Sequence, residues 1–169
     1  MSSLTQAPRV RAAVPDDAAA VARIYNHYVL NTVVTFEEQA VPVADMAGRI
    51  GDVQNDAYPW LVAEQDGVVI GYAYATCWKV RSAYRHSVEA TIYLDPGRER
   101  RGTGTLLYAA LIKLLRERGI HVVIGGAAQP NDASAALHEK LGFERVGTFR
   151  QVGFKHGRWV DVAYWELVL

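Results

Sequence analysis

Apolar and β-branched residues are grouped along the chain in short segments that alternate between the two-residue period of strands and the wider spacing of helices. Strands are predicted for residues 9–14, 60–65, 68–76, 87–94 and 120–128 and for both arms of a hairpin that turns near His156-Gly157. Helices are predicted for the apolar segment that follows Pro15-Asp16-Asp17 and for residues 42–53, 103–117 and 132–141. Asp66-Gly67 is typical of a two-residue hairpin turn, so the second and third strands are expected to be antiparallel. The predicted order is β-α-α-β-β-β-α-β-α-β-β.

The 169 residues contain no internal repeat, low-complexity tract or linker, and half of them are hydrophobic, which predicts a single domain over residues 1–169. Lys plus Arg and Asp plus Glu number 18 each, so the net charge gives no sign of a nucleic-acid or membrane partner. Cys77 is the only cysteine, which excludes an internal disulfide and a zinc site built on paired thiols. Because no apolar run is typical of an export signal or a membrane span, we expect a cytoplasmic protein without a bound metal.

A turn rich in arginine and glycine lies between the fourth predicted strand and the third predicted helix. Residues 98–105 read RERRGTGT, with Gly102 and Gly104 two positions apart. Glycines let a backbone approach a ligand closely, and the N–H groups at the start of a helix attract anions. The spacing excludes both a P-loop and a dinucleotide fingerprint. The turn therefore indicates a site for the pyrophosphate of another kind of nucleotide, and the alternative is an ordinary basic turn.

Three further blocks accompany this turn: WKVRSAY at 78–84, NDASAALHEKLGF at 131–143 and GFKHGRWVDV at 153–162. The turn and the 131–143 block resemble the GNAT acetyltransferases. The other two blocks resemble the branch that contains phosphinothricin and methionine sulfone or sulfoximine acetyltransferases, and the similarity runs from about Val10 to Leu167. The resemblance implies an α/β (α+β) GNAT fold, in which a mixed, mostly antiparallel sheet of about seven strands is flanked by four helices and strands four and five are splayed. It also implies acetyl-CoA as the cosubstrate.

The cofactor-binding residues that this resemblance implies lie on the fourth strand, on the turn and at the start of the fourth helix. They are Ile92, Tyr93, Leu94, Arg100, Arg101, Gly102, Thr103, Gly104, Thr105 and Asn131. The backbone N–H groups of the strand would bind the thioester oxygen and the pantetheine amides. Asn131 fits an ordinary helix cap equally well. Glu99 stands where the family usually has Gln or Arg, and because a carboxylate repels phosphate we expect Arg98, Arg100 or Arg101 to supply the positive charge.

Two titratable residues are candidates for proton transfer. Glu89 lies among apolar and β-branched neighbours, where burial would raise its pKa, and the resemblance implies that it is the general base for the acceptor amine. The alternative is an exposed carboxylate or an ion pair with Arg85. His138 stands where the superfamily often has a tyrosine that protonates the leaving CoA sulfur, and a histidine can donate near neutral pH. The alternative for His138 is a residue on the helix face that bonds to the backbone.

The acceptor is expected to contact the 78–84 loop. Lys79 and Arg81 would share one side of an extended segment and could hold a carboxylate or a phosphinate, although a solvated basic loop is the alternative. Trp78 and Tyr84 flank this pair and would exclude water from it. Phe36, Phe154 and Lys155 could complete the pocket, although such residues are more often part of a core or an interface. Because enzymes of this branch are typically homodimers, the aromatic C-terminal hairpin is a candidate contact surface.

These features predict an enzyme that transfers an acetyl group from acetyl-CoA to the α-amino group of a small acceptor such as phosphinothricin, methionine sulfone or methionine sulfoximine. The first alternative is an acetyltransferase of the same fold that acts on protein N-termini or other amines. The second is an acetyl-CoA-binding module without activity, which would keep the 100–105 turn but need neither Glu89 nor His138.

Overall fold

The computed structural model describes residues 6–98 and 102–169, and its elements follow the predicted order. The strands in these residues are β1 Arg9–Ala12, β2 Trp60–Gln65, β3 Val68–Cys77, β4 Ser87–Leu94, β5 Val122–Ala128, β6 Glu144–Lys155 and β7 Arg158–Val168. The helices are α1 Ala18–Asn31, α2 Val43–Asn55, α3 Thr103–Glu117 and α4 Asp132–Lys140. The bounds predicted for β4 and α3 are confirmed, and α1 is preceded by a short 3-10 turn at Pro15–Asp17.

The strand predicted from residue 120 begins later, because the Ile120 amide still bonds back to the last turn of α3. The Ile120 amide donates to the Leu115 carbonyl at 3.1 Å, and the His121 amide donates to the His86 carbonyl at 2.8 Å. β5 therefore starts at Val122, where it first pairs with β4.

The strands form one sheet in the order β1-β2-β3-β4-β5-β7-β6. All neighbouring strands are antiparallel except β4 and β5, which are parallel. β4 and β5 pair only where residues 87–89 lie beside residues 122–124; farther along, β4 pairs with β3 and β5 pairs with β7. The expected mixed sheet with splayed fourth and fifth strands is confirmed.

Helices cover both faces of the sheet, and each face has its own apolar core. α1 and α2 cover one face, where Trp60 stacks on Tyr74 with the ring centroids 4.1 Å apart. α3 covers the other face, where its buried leucines join the core that contains Trp165. α4 lies against β5 and β6. None of the helices in residues 6–98 and 102–169 is long and apolar enough to cross a membrane.

The end of β4 is tied to α1 by a buried carboxylate. Asp95 is 5% exposed and accepts two hydrogen bonds from the Arg23 guanidinium, at 2.7 and 3.2 Å. The Tyr28 hydroxyl, also on α1, donates to the Leu94 carbonyl at 2.6 Å. A buried carboxylate is costly unless it is paired, so these contacts hold the point at which the chain leaves the sheet for the glycine turn.

Candidate active site

A cleft of about 740 Å³ opens where β4 and β5 separate. It contains six of the predicted site residues, which are Glu89, Ile92, Tyr93, Leu94, Asn131 and His138. Its remaining wall includes residues that the sequence analysis did not select, among them Val34, Thr35, Thr91, Gly126 and Ser134. The structure therefore brings the two candidates for proton transfer and part of the cofactor set into one cavity.

Glu89 lies at the last rung on which β4 and β5 still pair, opposite Ile124. Its side chain is half-buried, and burial raises the pKa of its carboxyl group, whereas the positive charge of Lys79 lowers that pKa. The alternative predicted for Glu89 was an ion pair with Arg85. Glu89 and Arg85 are both described, and no ion pair forms between them; the Arg85 guanidinium donates to the Ser82 carbonyl instead. Glu89 is therefore a carboxylate at the edge of a cavity, with a pKa nearer to neutrality than usual.

His138 is only 3% exposed, and its two ring nitrogens face different partners. Nδ1 lies 2.7 Å from the Ser134 carbonyl oxygen, and Nε2 lies 3.1 Å from the Tyr108 hydroxyl. Because a carbonyl can only accept, Nδ1 carries the proton in the neutral ring and Nε2 accepts a hydrogen bond from Tyr108. Burial lowers the pKa of His138, which favours this neutral form. The residue thus both borders the cleft and bonds to the backbone.

Tyr108 on α3 is a site residue that the sequence analysis missed. It is fully buried, and its ring packs edge-on against His138. Burial, and to a smaller extent the charge of Glu89, raises the pKa of its hydroxyl. The space for this pair exists because β5 has Gly125 beside it, where a Cβ atom would overlap His138. The sequence feature that could have identified Tyr108 is a tyrosine among the leucines of an apolar helix face, because a buried hydroxyl group needs a hydrogen-bond partner.

The glycine turn leads into the N-terminus of α3. Gly102 has a φ of 100° at the N-cap, a conformation that favours glycine, and the first N–H groups of α3 have no partner within the helix. Thr103 Oγ1 is buried and bonds to no described residue. Gly104 is buried in the first turn of α3, and a Cβ atom there would lie 3.5 Å from side-chain atoms of Leu94 and Leu137, two residues that line the cleft. Glu99, Arg100 and Arg101 lie outside the described residues.

Asn131 caps α4, as its alternative interpretation predicted. Its side-chain oxygen accepts a hydrogen bond from the Ser134 amide at 3.0 Å, and the residue also borders the cleft. Within the described residues, no group of three or more His, Cys, Asp or Glu side chains is arranged to hold a metal ion.

The 78–84 loop follows β3 and lies at the Glu89 end of the cleft. The Trp78 amide donates to the Ser87 carbonyl at 3.1 Å, and the Lys79 ammonium lies 5.0 Å from the centre of the Trp78 ring. Lys79, Arg81 and Tyr84 are exposed and stand outside the lining of the cleft. The loop is therefore a cationic rim beside Glu89 and forms no part of the cavity wall.

Two of the acceptor candidates are corrected by the structure. Lys155 is 1% exposed, and its ammonium group donates to two backbone carbonyls, so it cannot reach an acceptor. Phe154 points to the opposite side of β6, where it is 54% exposed and packs on Trp159. Phe36 also lies outside the lining of the cleft, and its ring covers the backbone of Gly153.

Comparison with known proteins gives a consistent result. Residues 10–164 match the family model of the acetyltransferase (GNAT) domain. The chain is 41% identical to a phosphinothricin N-acetyltransferase of Streptomyces viridochromogenes, over 98% of this chain and 90% of that protein. It is 37% identical to an L-methionine sulfoximine/L-methionine sulfone acetyltransferase of Salmonella typhimurium, over 95% and 94%. The crystal structure of a GNAT superfamily phosphinothricin acetyltransferase from Sinorhizobium meliloti in complex with acetyl-CoA superposes with a TM-score of 0.93 at 39% identity, covering 97% of this chain and 89% of that one.

Proposed function

We propose an acceptor class for this chain, which belongs to the GNAT acetyltransferase family and is an acetyl-CoA-dependent N-acetyltransferase. The acceptor is the α-amino group of a small amino acid whose side chain ends in a phosphinate, sulfone or sulfoximine group. The names of the similar enzymes support this class. The observation that carries it is the position of Glu89, a half-buried carboxylate at the parting of β4 and β5, with a cationic rim on one side and the α3 N-terminus beyond β4.

The residues present fit acetyl-CoA, which supplies the acetyl thioester when bound. The edge of β4 that faces β5 has no strand partner over residues 90–94, so its backbone groups, apart from the Leu94 carbonyl that accepts from Tyr28, can bond amides and a thioester oxygen. The N–H groups at the start of α3 and the unpaired Thr103 hydroxyl suit a pyrophosphate. Asn131, which borders the same cleft, would bond the pantetheine arm, and Arg100 and Arg101 would add charge.

Glu89 acts as the general base in this proposal. An α-amino group has a pKa of about 8 and is mostly protonated at neutral pH, so a proton must leave before the nitrogen can attack. Because burial raises the pKa of Glu89, its carboxylate is a better match for that proton than an exposed glutamate would be. The proton passes to the carboxylate directly or through one water molecule.

The Tyr108–His138 pair returns a proton to the sulfur that leaves. The Tyr108 hydroxyl donates to Nε2 of His138, and the Nδ1–H group of His138 is held by the Ser134 carbonyl. With the Nδ1–H proton engaged, the proton available to the sulfur is the one between Tyr108 and Nε2; the pair is then one proton short and regains a proton from water before the next turnover. We therefore assign the general-acid role to the pair, whereas the sequence assigned it to His138 alone.

The cationic rim recognises the acceptor. Arg81 offers a bidentate fork for a carboxylate, and Lys79 adds a second positive charge above the Trp78 ring. Tyr84 lies in the 3-10 turn that ends this loop. Phe36 follows Val34 and Thr35 of the wall but lies outside the cleft lining, so it would support the acceptor wall from behind through its contact with Gly153.

The assembly and location form a second part of the proposal. Exposed apolar side chains are concentrated on the β6–β7 hairpin at the edge of the sheet: Val146, Phe149, Val152, Phe154 and Trp159. Such a patch on an edge strand is typical of an interface, and we propose that it joins two copies of the chain. One sheet that extends from β1 to β6 supports a single domain, and the use of acetyl-CoA together with the single Cys77 supports a cytoplasmic enzyme.

Glu89→Gln should lower kcat by about a hundredfold to ten-thousandfold, because the amide keeps the shape of the side chain but cannot take a proton.

In the wild type, kcat falls as the pH falls through the Glu89 pKa. Lys79→Met removes the charge that lowers this pKa, so the acid limb of the kcat profile should move to higher pH. Thiol release at saturating acceptor measures both effects. Lys113→Met, an exposed lysine on α3, is the matched control. A limb that does not move would refute the assignment of Glu89.

Tyr108→Phe removes one hydroxyl and should slow the reaction nearly as much as His138→Ala does, because both break the same pair. The double variant should be little slower than either single one. All three defects should shrink with an acetyl thioester of a more acidic thiol, which needs less help to leave. Tyr58→Phe, a partly buried tyrosine outside the cleft, is the control. Additive losses in the double variant would show that Tyr108 and His138 act independently, which would contradict the pair.

The acceptor class predicts strong discrimination by the side-chain terminus. Methionine sulfone, methionine sulfoximine and phosphinothricin should react, whereas methionine leaves the polar donors of the site unpaired and should react poorly. Arg81→Ala should raise the acceptor KM and leave acetyl-CoA affinity unchanged. Arg85→Ala, which alters a neighbouring exposed arginine, should change neither quantity. Thiol release with these acceptors, glutamate and a peptide amine provides the test. A peptide amine that reacts best, with no turnover of the small acceptors, would favour the N-terminal acetyltransferase alternative.

Light scattering should give a particle of about twice the 18.7 kDa chain mass. Trp159→Glu places a charge in the apolar patch of the hairpin and should shift the particle toward the mass of one chain. Val43→Glu, at an exposed valine on α2, should leave the mass unchanged. A single-chain mass for the wild type excludes the proposed interface.

A further inference from the structure

Lys155 is a buried cation that the reaction described above does not use. It ends β6, is 1% exposed, and forms no ion pair with any described residue. Its Nζ atom lies 2.6 Å from the Val29 carbonyl oxygen and 2.8 Å from the Thr35 carbonyl oxygen. A buried ammonium group is costly, so the position needs a physical reason.

The two carbonyls belong to the end of α1 and to the segment that follows it. Val29 lies in the last turn of α1, where carbonyls lack helical partners and the helix dipole is negative, so a cation there is stabilised. Thr35 lies on the cleft wall beside Val34. One ammonium group thus joins the helix end to the wall of the cavity.

The same segment touches β6 at a second point. Gly153 precedes Lys155 by two positions, so both face the same side of the strand. The Phe36 ring lies against the Gly153 backbone, and a Cβ atom on this glycine would overlap the ring. β6 therefore contacts two consecutive residues of the segment, Thr35 by hydrogen bonding and Phe36 by close packing.

The segment 32–41 has little structure of its own to hold it. It contains no helix or strand, and its hydrogen bonds come largely from side chains, such as Tyr25 to Thr35 at 2.8 Å and Asn26 to Val41 at 2.7 and 2.9 Å. The position of this wall therefore depends on the contacts that hold the segment, including those to Lys155 and Gly153. Reacting groups must be placed to within a fraction of an ångström, so these contacts matter for the reaction.

We propose that Lys155 and Gly153 are positioning residues that fix the segment 32–41 as one wall of the acceptor site. This inference rests on the proposed function, because that function makes the cleft an acceptor site. Neither residue touches the acceptor. The C-terminal hairpin thereby affects acceptor binding indirectly, by holding the wall in place. The groups that suit acetyl-CoA lie on other elements, namely β4 and the N-termini of α3 and α4.

Lys155→Met keeps the length of the side chain and removes both hydrogen bonds to the segment. The acceptor KM should rise by about tenfold to a hundredfold, and the acetyl-CoA Kd should stay within about twofold of the wild type. Hydrogen exchange of peptides from 32–41 should accelerate in the variant, while peptides from β2 and β3 should not change. Lys113→Met is the matched control and should alter none of these readouts.

Gly153→Ala perturbs the same wall without removing a charge, and it serves if Lys155→Met does not fold. It should raise the acceptor KM by displacing the Phe36 ring, and adding Phe36→Leu should restore much of the loss by making room. Gly147→Ala is the control on the same strand, because a Cβ atom there meets nothing within 4 Å.

The readouts separate this inference from the proposed function. Unchanged exchange in 32–41, or an unchanged acceptor KM in both Lys155→Met and Gly153→Ala, would overturn the positioning role. A purely structural role would lower the melting temperature and the active fraction without changing the acceptor KM. If the small acceptors are not substrates, the proposed function fails. The role of Lys155 and Gly153 can still be decided from the KM of whichever amine does react and from the hydrogen exchange of residues 32–41.

Discussion

The site depends on the early end of the pairing between β4 and β5. Buried backbone N–H and C=O groups need partners, and a parallel pair normally satisfies them rung by rung. Here the rungs stop after residues 87–89 and 122–124, although both strands continue. Each strand keeps its other neighbour, β3 for β4 and β7 for β5, so the sheet stays intact while the inner edges remain available. A ligand that carries amides can take the place of the missing rungs.

The remaining elements can be understood as supports for that opening. α1 holds the end of β4 through the Arg23 to Asp95 and Tyr28 to Leu94 contacts, and α3 begins with its N–H groups just beyond the same strand end. The cofactor side of the cleft is therefore mostly backbone and helix terminus. The proton-transfer candidates lie farther back, Glu89 at the last paired rung and His138 across from it on α4.

The order of elements, the bounds of β4 and α3 and part of the cleft lining could be predicted from the sequence. Glu89 and Asn131 were both selected and both line the cleft, although Asn131 also caps α4. Lys155 was assigned wrongly because a lysine in a basic, aromatic hairpin is usually exposed, and only the tertiary fold shows that two carbonyls face it. Tyr108 was missed because the α3 pattern marked it as a core residue, and its partner His138 is 30 residues away.

These differences follow a physical division within the site. Acetyl-CoA is a constant ligand, and the groups that suit it are backbone atoms whose placement depends on strand direction and a helix start, which sequence patterns predict well. In the proposed site, the acceptor would meet the segment after α1 and the β3–β4 loop, with β6 acting indirectly, and these three regions are distant in sequence. Substitutions in any of these regions can alter the acceptor wall without disturbing the opening between β4 and β5. A fold with this division can keep one cofactor site while its acceptor changes, which is consistent with relatives at 37 to 41% identity that are named for phosphinothricin and for oxidised forms of methionine.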